Sequence, residues 1–178
     1  MLMDRIIGAF TFRKGVYAEV ENDPSFTQTA WILVAVIAFL NQLGAHTGLG
    51  FAGWIVGAIV GTITMVIGFA VGAFVVNWVG RTVFKADVTF DEMVRTLGLA
   101  YVWSVVGLLG ILGFIPGLIC LVAPVLLIAG IAGLIAWFVA AKEALDLDWV
   151  QTLITVILGW LVIVVVNLIT GWILGLIF

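Results

Sequence analysis

Seven Lys and Arg and ten Asp and Glu supply all the charge in this 178-residue chain. Every one of them falls within residues 4–23, 81–95 or 142–148. Closely spaced carboxylates are the raw material of acid–base chemistry. Here Asp87, Asp91, Glu92, Glu143, Asp146 and Asp148 stand beside turn and helix-start residues, where they read as caps and solvated loop groups. The chain has no HExxH, GxSxG or GxxxxGK[ST] pattern. The expectation is a protein that is not an enzyme. The cations Arg13, Lys14, Arg81, Lys85, Arg95 and Lys142 form a candidate face for a protein partner or for lipid headgroups. Beside them stand Phe12, Tyr17, Phe84 and Phe90 as apolar anchors.

Two further residues have chemical potential. His46 is the only histidine. It could ligate a pigment or haem iron, but at a helix end it reads more simply as a polar rim residue. Cys120 is the only cysteine, which excludes an internal disulfide and a cysteine metal site. No cofactor or metal is expected. The net charge of −3, with no dense basic cluster, argues against nucleic acid as a partner.

The elements that position these residues follow from composition. The chain is 65% hydrophobic and 10% charged, with a mean hydropathy of +1.34. A soluble domain is nearer ~25% charged, so lipid must be part of the solvent. Charge-free runs of about 20 residues mark transmembrane helices. They occur at about 27–45, 51–80, 96–115, 118–141 and 149–178. The expected fold is all-α: a polytopic bundle of about five transmembrane helices, residues 27–178, preceded by a cytoplasmic or interfacial segment, residues 1–26. The third and fourth runs together are too long for one span, and Pro116-Gly117 offers a turn between them; a pair of re-entrant helices is the alternative. Pro124 should kink the fourth run or delay its start.

With five spans, all three charged segments fall on one side. His46-Thr47-Gly48, Pro116-Gly117 and the C-terminus fall on the other. Since every Lys and Arg lies on the first side, that side is expected to be cytoplasmic. No apolar stretch precedes the first span, so that span should act as an uncleaved anchor. Trp31, Trp54, Trp78, Trp137, Trp149 and Trp172 sit near span ends, as indole prefers, while Trp103 and Trp160 read as packing residues.

Helix starts are legible on the charged side. Thr89-Phe-Asp-Glu92 spells a capping box, with Val88 and Met93 placed for a hydrophobic staple. Asp148-Trp-Val-Gln151 should cap the fifth span, and Asp23-Pro24 should start the first. In residues 2–20, Met3, Ile6, Ile7, Phe10 and Tyr17 share one helical arc. That arc suggests an interfacial amphipathic helix, which Gly15 can break in two.

Within the membrane, Gly53, Gly57, Gly61, Thr64, Gly68 and Gly72 line one face of the second span. A face so bare lets another backbone approach closely. It suits a helix of the same chain or, as the sharper reading, a homo-oligomer or partner subunit. No Asp, Glu, Lys or Arg lies within the spans. Asn41, Gln42 and Asn77 could line a solute path, but interhelical hydrogen bonding is the simpler role.

Taken in order, these features resemble the Yip1-domain family in its compact prokaryotic form. The resemblance rests on Phe10-Thr-Phe-Arg-Lys-Gly-Val-Tyr-Ala-Glu-Val-Glu-Asn-Asp23, Phe90-Asp-Glu-Met-Val-Arg-Thr-Leu-Gly-Leu-Ala100, Gly113-Phe-Ile-Pro-Gly117 and Ala140-Ala-Lys-Glu-Ala-Leu-Asp-Leu-Asp148. It implies five spans and a cytoplasmic N-terminus in a prokaryotic cytoplasmic membrane. Eukaryotic members look like trafficking factors that engage small GTPases through a long N-terminal region, which residues 1–26 do not match. The expected role is a non-catalytic membrane scaffold or adaptor, or an accessory subunit of a larger assembly. A transporter or channel for a neutral or lipid-like solute is the alternative. A polar cavity running through Asn41, Gln42 and Asn77 would favour the alternative; a closed bundle with a bare outer groove would favour the scaffold.

Overall fold

A computed structural model describes residues 2–47, 50–115 and 117–177, with side chains described to residue 172. Gly48, Pro116 and Phe178, on which two expected outer turns and the chain end depend, lie outside the described residues. Two short helices, α1 (Leu2–Phe10) and α2 (Val16–Glu21), precede the long ones. α3 spans Phe26–Ala45 and α4 spans Gly50–Val83. α5 (Phe90–Ala100) runs directly into a 3₁₀ segment, Tyr101–Phe114. α6 (Leu118–Leu145) and α7 (Trp149–Ile177) complete the chain. Five helices, counting α5 and the 3₁₀ segment as one, are long and apolar enough to cross a membrane. α4 has 34 residues, about 51 Å at 1.5 Å per residue, against a hydrocarbon layer of about 30 Å. It must therefore tilt or project beyond the lipid.

The caps explain where the helices begin. The Thr89 hydroxyl accepts from the Glu92 N–H, and the Glu92 carboxylate accepts from the Thr89 N–H at 2.6 Å, a reciprocal box that starts α5. Val88 and Met93 are both buried beside it. Asp148 accepts from the Gln151 N–H at 2.8 Å and caps α7. At the first span, Asp23 holds the Ser25 N–H and hydroxyl, so the chain makes a turn at Pro24-Ser25 and helix begins at Phe26. α6 starts at Leu118 with Gly117 at φ 84, and Pro124 sits within its early turns. Regular helix before Pro124 shows that the proline did not delay the start.

The N-terminal segment departs from a single amphipathic helix. Phe12 (φ 52) and Gly15 (φ 79) take left-handed backbone between α1 and α2. This reverses the chain and splits the expected arc. Met3 and Ile7 on α1 stay exposed, as an interfacial helix requires, whereas Tyr17 on α2 is 3% exposed and packs inward. α1 docks through Phe10, edge-on to Trp103 at 5.0 Å, and through the Ala9 carbonyl, which accepts from the Trp103 indole N–H at 3.3 Å.

The core centres on Phe69. Trp31, Tyr101 and Trp137 approach its ring edge-on at centroid distances of 5.7, 5.5 and 6.5 Å. Trp137 is thus a core residue rather than the interfacial one expected from its place in the sequence. Trp160 corrects the expectation in the other direction: it is 44% exposed, not packed.

The tightest helix contact lies between α3 and the 3₁₀ segment. With three residues per turn, Ser104, Gly107, Gly110 and Gly113 fall in one straight row. In an α-helix the same four would fan over about 180°. A methyl group on Gly44 would collide with the Gly107 carbonyl oxygen, and one on Gly110 would lie 2.6 Å from the Gly44 oxygen. These two backbones touch, which only glycine permits.

Candidate functional site

The charged segments assemble at one end of the bundle, where α1 and α2 pack against α5, and α2 also meets α6. Arg95 is the centre of this assembly. It is 5% exposed. Its Nε and Nη2 donate to the Glu21 carbonyl oxygen, and its Nη1 donates to the Thr27 hydroxyl at 3.1 Å. One guanidinium therefore ties the end of α2 and the start of α3 to α5. Its geometry removes Arg95 from the outward face on which its charge alone would place it.

The other cations divide into two groups. Arg13 is held within the N-terminal segment, 3.3 Å from Asp4 and 2.9 Å from Glu19, and Lys142 lies over the Trp149 ring at 5.0 Å. Arg5, similarly, pairs with Asp23 at 2.8 Å. Lys14, Arg81 and Lys85 are exposed and make no ion pair with any described residue. Lys85 takes φ 61 at the end of α4, where the Phe84 and Ala86 N–H groups both return to the Gly80 oxygen. Of the expected apolar anchors, Phe12 is 40% exposed and stacks on Trp103. Phe84 and Phe90 are half-buried against the core. Tyr17 is not available: its ring is buried, its hydroxyl has no partner among the described residues, and burial pushes its pKa up to about 12.

Glu21 is the electrostatic weak point. Burial, then repulsion from Asp146, Glu92 and Glu143, raises its carboxyl to about 7, with Arg95 opposing the shift. An ordinary carboxyl near 4.5 in the unfolded chain gives the folded state an extra proton between about pH 4.5 and 7. Stability from this group is therefore full below about 4.5 and falls as pH rises toward 7. Glu21→Gln should melt with the wild type at pH 4.5 but higher than it at pH 8. Glu21 keeps part of its solvent, so screening limits the difference to about 1 kcal/mol. Parallel melting curves across that range would show that Glu21 is ionised in the fold.

The small residues of α4 are taken up inside the chain. Gly57, Gly61, Thr64, Gly68 and Gly72 are buried, and Gly53 is half-buried. Gly57 faces the His46 ring and Gly61 the Gln42 side chain, both from the C-terminal end of α3. Gly72 faces Ile163 of α7 at 2.6 Å from where a methyl would sit, and Gly68 faces the same residue loosely at 3.7 Å. The stripe holds side chains of two neighbouring helices. It is neither a bare outer groove nor a surface left free for a second copy.

The side-chain amides and threonines within the spans are hydrogen-bonded inside the bundle. Asn41 donates to the Ser104 carbonyl oxygen at 2.8 Å, Gln42 to the Met65 sulfur, and Asn77 to the Val88 carbonyl oxygen at 3.2 Å. Thr62, Thr64, Thr155 and Thr170 return to carbonyls one turn back. Asn41 borders a cavity whose lining includes neither Gln42 nor Asn77, so that cavity does not join the three. The His46 ring nitrogen lies 3.4 Å from the Gln42 carbonyl oxygen. No group of three or more potential metal ligands occurs among the described residues.

Sequence reasoning missed the Ser104-Gly107-Gly110-Gly113 row. Its signal was present as small residues at a period of three, which a search for α-helical spacing passes over.

A polytopic bundle of five long apolar helices, with its charge gathered at one end, defines a multi-pass membrane protein. The Yip1 domain matches residues 7–171, and the chain belongs to the Yip1-domain family. No curated protein and no solved structure matches it.

Proposed function

We propose that the protein is a non-catalytic scaffold or adaptor that holds a membrane partner against its charged end. The observation that carries this reading is the division among the cations. Arg5, Arg13 and Arg95 are spent on internal contacts, while Lys14, Arg81 and Lys85 remain exposed, Lys14 two residues from the exposed Phe12. Free charge next to an exposed ring is what a docking face requires. The amides Asn41, Gln42 and Asn77 support the same reading, because each is held by a contact inside the bundle. In this reading the charged end, with the N-terminus, faces the cytoplasm and the C-terminus faces the opposite side. Reporters fused at Asp146 and Thr47 should therefore report opposite compartments, and the same compartment for both would reject it.

The docking test is Arg81→Glu with Lys85→Glu. Neither side chain supports the fold, so the variant should insert and melt like the wild type. Native electrophoresis of gently solubilised membranes should show the wild type in a complex larger than its own micelle. The variant should lose that larger species at least tenfold. Retention of the complex at full intensity would exclude this face.

A further inference from the structure

α6 is the least buried of the five candidate spans. It packs along the 3₁₀ segment and makes few contacts with α4 or α7, leaving Leu121, Leu127 and Ile128 largely exposed. Behind it lies a cavity of about 710 Å³, bounded by α3, the 3₁₀ segment, α6 and α7, with Met65 of α4. That volume is within the ~300–1,000 Å³ typical of small-molecule sites. No Asp, Glu, Lys or Arg lines it. Leu126, Leu127, Ile131 and Leu134 of α6 and Ile163 of α7 are part of its lining and give it an aliphatic slot. Because these residues lie on membrane-spanning helices and several are exposed, the slot opens sideways into hydrocarbon rather than into water.

Part of the lining is chemically different. Tyr101, Trp137 and Trp160 place aromatic rings there, and Ser104 adds a hydroxyl. The Tyr101 and Ser104 hydroxyls and the Trp137 and Trp160 indole N–H groups make no hydrogen bond to any described residue, and none is a sealed buried group like the Tyr17 hydroxyl. Four donors with no protein acceptor, in a site without charge, call for an uncharged acceptor on the ligand. They stand about 7–18 Å along their helices from the charged residues nearest in sequence, counting 1.5–2 Å per residue. A lipid tethered at the interface by a charged headgroup keeps its ester carbonyls shallower than this.

We propose that this cavity binds a neutral lipid with a flat, carbonyl-bearing head and a single apolar tail, the chemistry of an isoprenoid quinone. The head lies among Tyr101, Ser104, Trp137 and Trp160, and the tail leaves through the aliphatic slot between α6 and α7. No redox step is implied. The proposal does not depend on the docking face and is tested separately from it.

The probe is a benzoquinone carrying a decyl chain, added to the purified full-length protein in a mild detergent. A saturable rise in melting temperature of ~5 °C is expected for the wild type. Gly130 lines the cavity and has nothing within 4 Å of where a methyl would sit, so Gly130→Leu should fill the space without disturbing the walls. It should weaken the response at least tenfold. Gly171→Leu is the control, since Gly171 is equally open but does not line the cavity, and it should respond as the wild type does. Ser104→Ala with Trp160→Phe keeps the slot and removes two donors. It should weaken quinone binding and leave the response to decylbenzene, which has no carbonyl, unchanged. That pair carries the test if Gly130→Leu does not fold. Equal stabilisation by quinone and decylbenzene in the wild type would mean that the cavity takes hydrocarbon only, and would overturn the proposal. So would dioleoylglycerol displacing the quinone at equal concentration, or a response untouched by both variants.

Discussion

Gly44→Ala should not yield a stably folded protein. The added methyl would meet the Gly107 carbonyl oxygen, an atom of the facing backbone that no rotamer change can move. Relief requires α3 and the 3₁₀ segment to separate. That would also loosen the hydrogen bond from Asn41 to the Ser104 oxygen and the close approach of Gly110. Overpacking ordinarily costs about 1–3 kcal/mol, and a backbone collision along a whole helix pair belongs above that range. We expect a melting temperature lower by at least ~6 °C in detergent, at ~2–4 °C per kcal/mol for a chain of this size, or failure to accumulate in the membrane. Gly68→Ala provides the contrast. Its nearest neighbour would be Ile163 at 3.7 Å, ordinary contact, so its effect should stay within about 1 kcal/mol. Gly61 falls between the two, because the obstacle there is the end of the Gln42 side chain, which can swing aside. Equal melting temperatures for Gly44→Ala and Gly68→Ala would mean that the two helices do not touch as described.

Arg95→Ala should cost about 2–4 kcal/mol. It leaves the Glu21 carbonyl without the two donors that reach it and the Thr27 hydroxyl without its nitrogen donor, and it empties a buried volume where α2, α3 and α5 meet. Arg95→Lys should recover little of this, since a single ammonium cannot span the carbonyl and the hydroxyl as a planar fork does. A second readout separates this role from general packing. The Arg95 charge stabilises the ionised form of Glu21, so its removal should raise the Glu21 carboxyl further and move the pH-dependent part of stability upward. An Arg95→Ala protein that melts within 1 °C of the wild type, with its pH profile unshifted, would contradict the tie between the N-terminal helices and the bundle.

Much of this was legible before any coordinates. The number and order of the long helices follow from apolar runs bounded by charge, because a bilayer tolerates little charge and requires backbone hydrogen bonds to close within each segment. The starts of α5 and α7 follow from Thr89, Glu92 and Asp148, since capping is local and needs only the neighbouring residues. The break near Gly15 was visible for the same reason, although Phe12 shares the left-handed turn.

What each helix face meets was not legible. Six cations look alike in a sequence, yet Arg95 is buried and Arg81 is free, because only the docking of α2 onto α5 brings the Glu21 carbonyl within reach. The α4 stripe shows that close packing is possible but not with what; His46, Gln42 and Ile163 fill it only after the helices assemble. The 3₁₀ winding of Tyr101–Phe114 was equally hidden. Its glycine row faces α3 only if the residues wind three to a turn, and the reward for that winding is contact with another helix. Trp137 and Trp160 exchanged their expected places for a related reason: distance from a span end sets depth in the bilayer, while burial depends on which way the side chain turns. Length, polarity and capping act along the chain and can be read from it. Facing, register and cavities arise between segments far apart in sequence, and only the tertiary structure decides them.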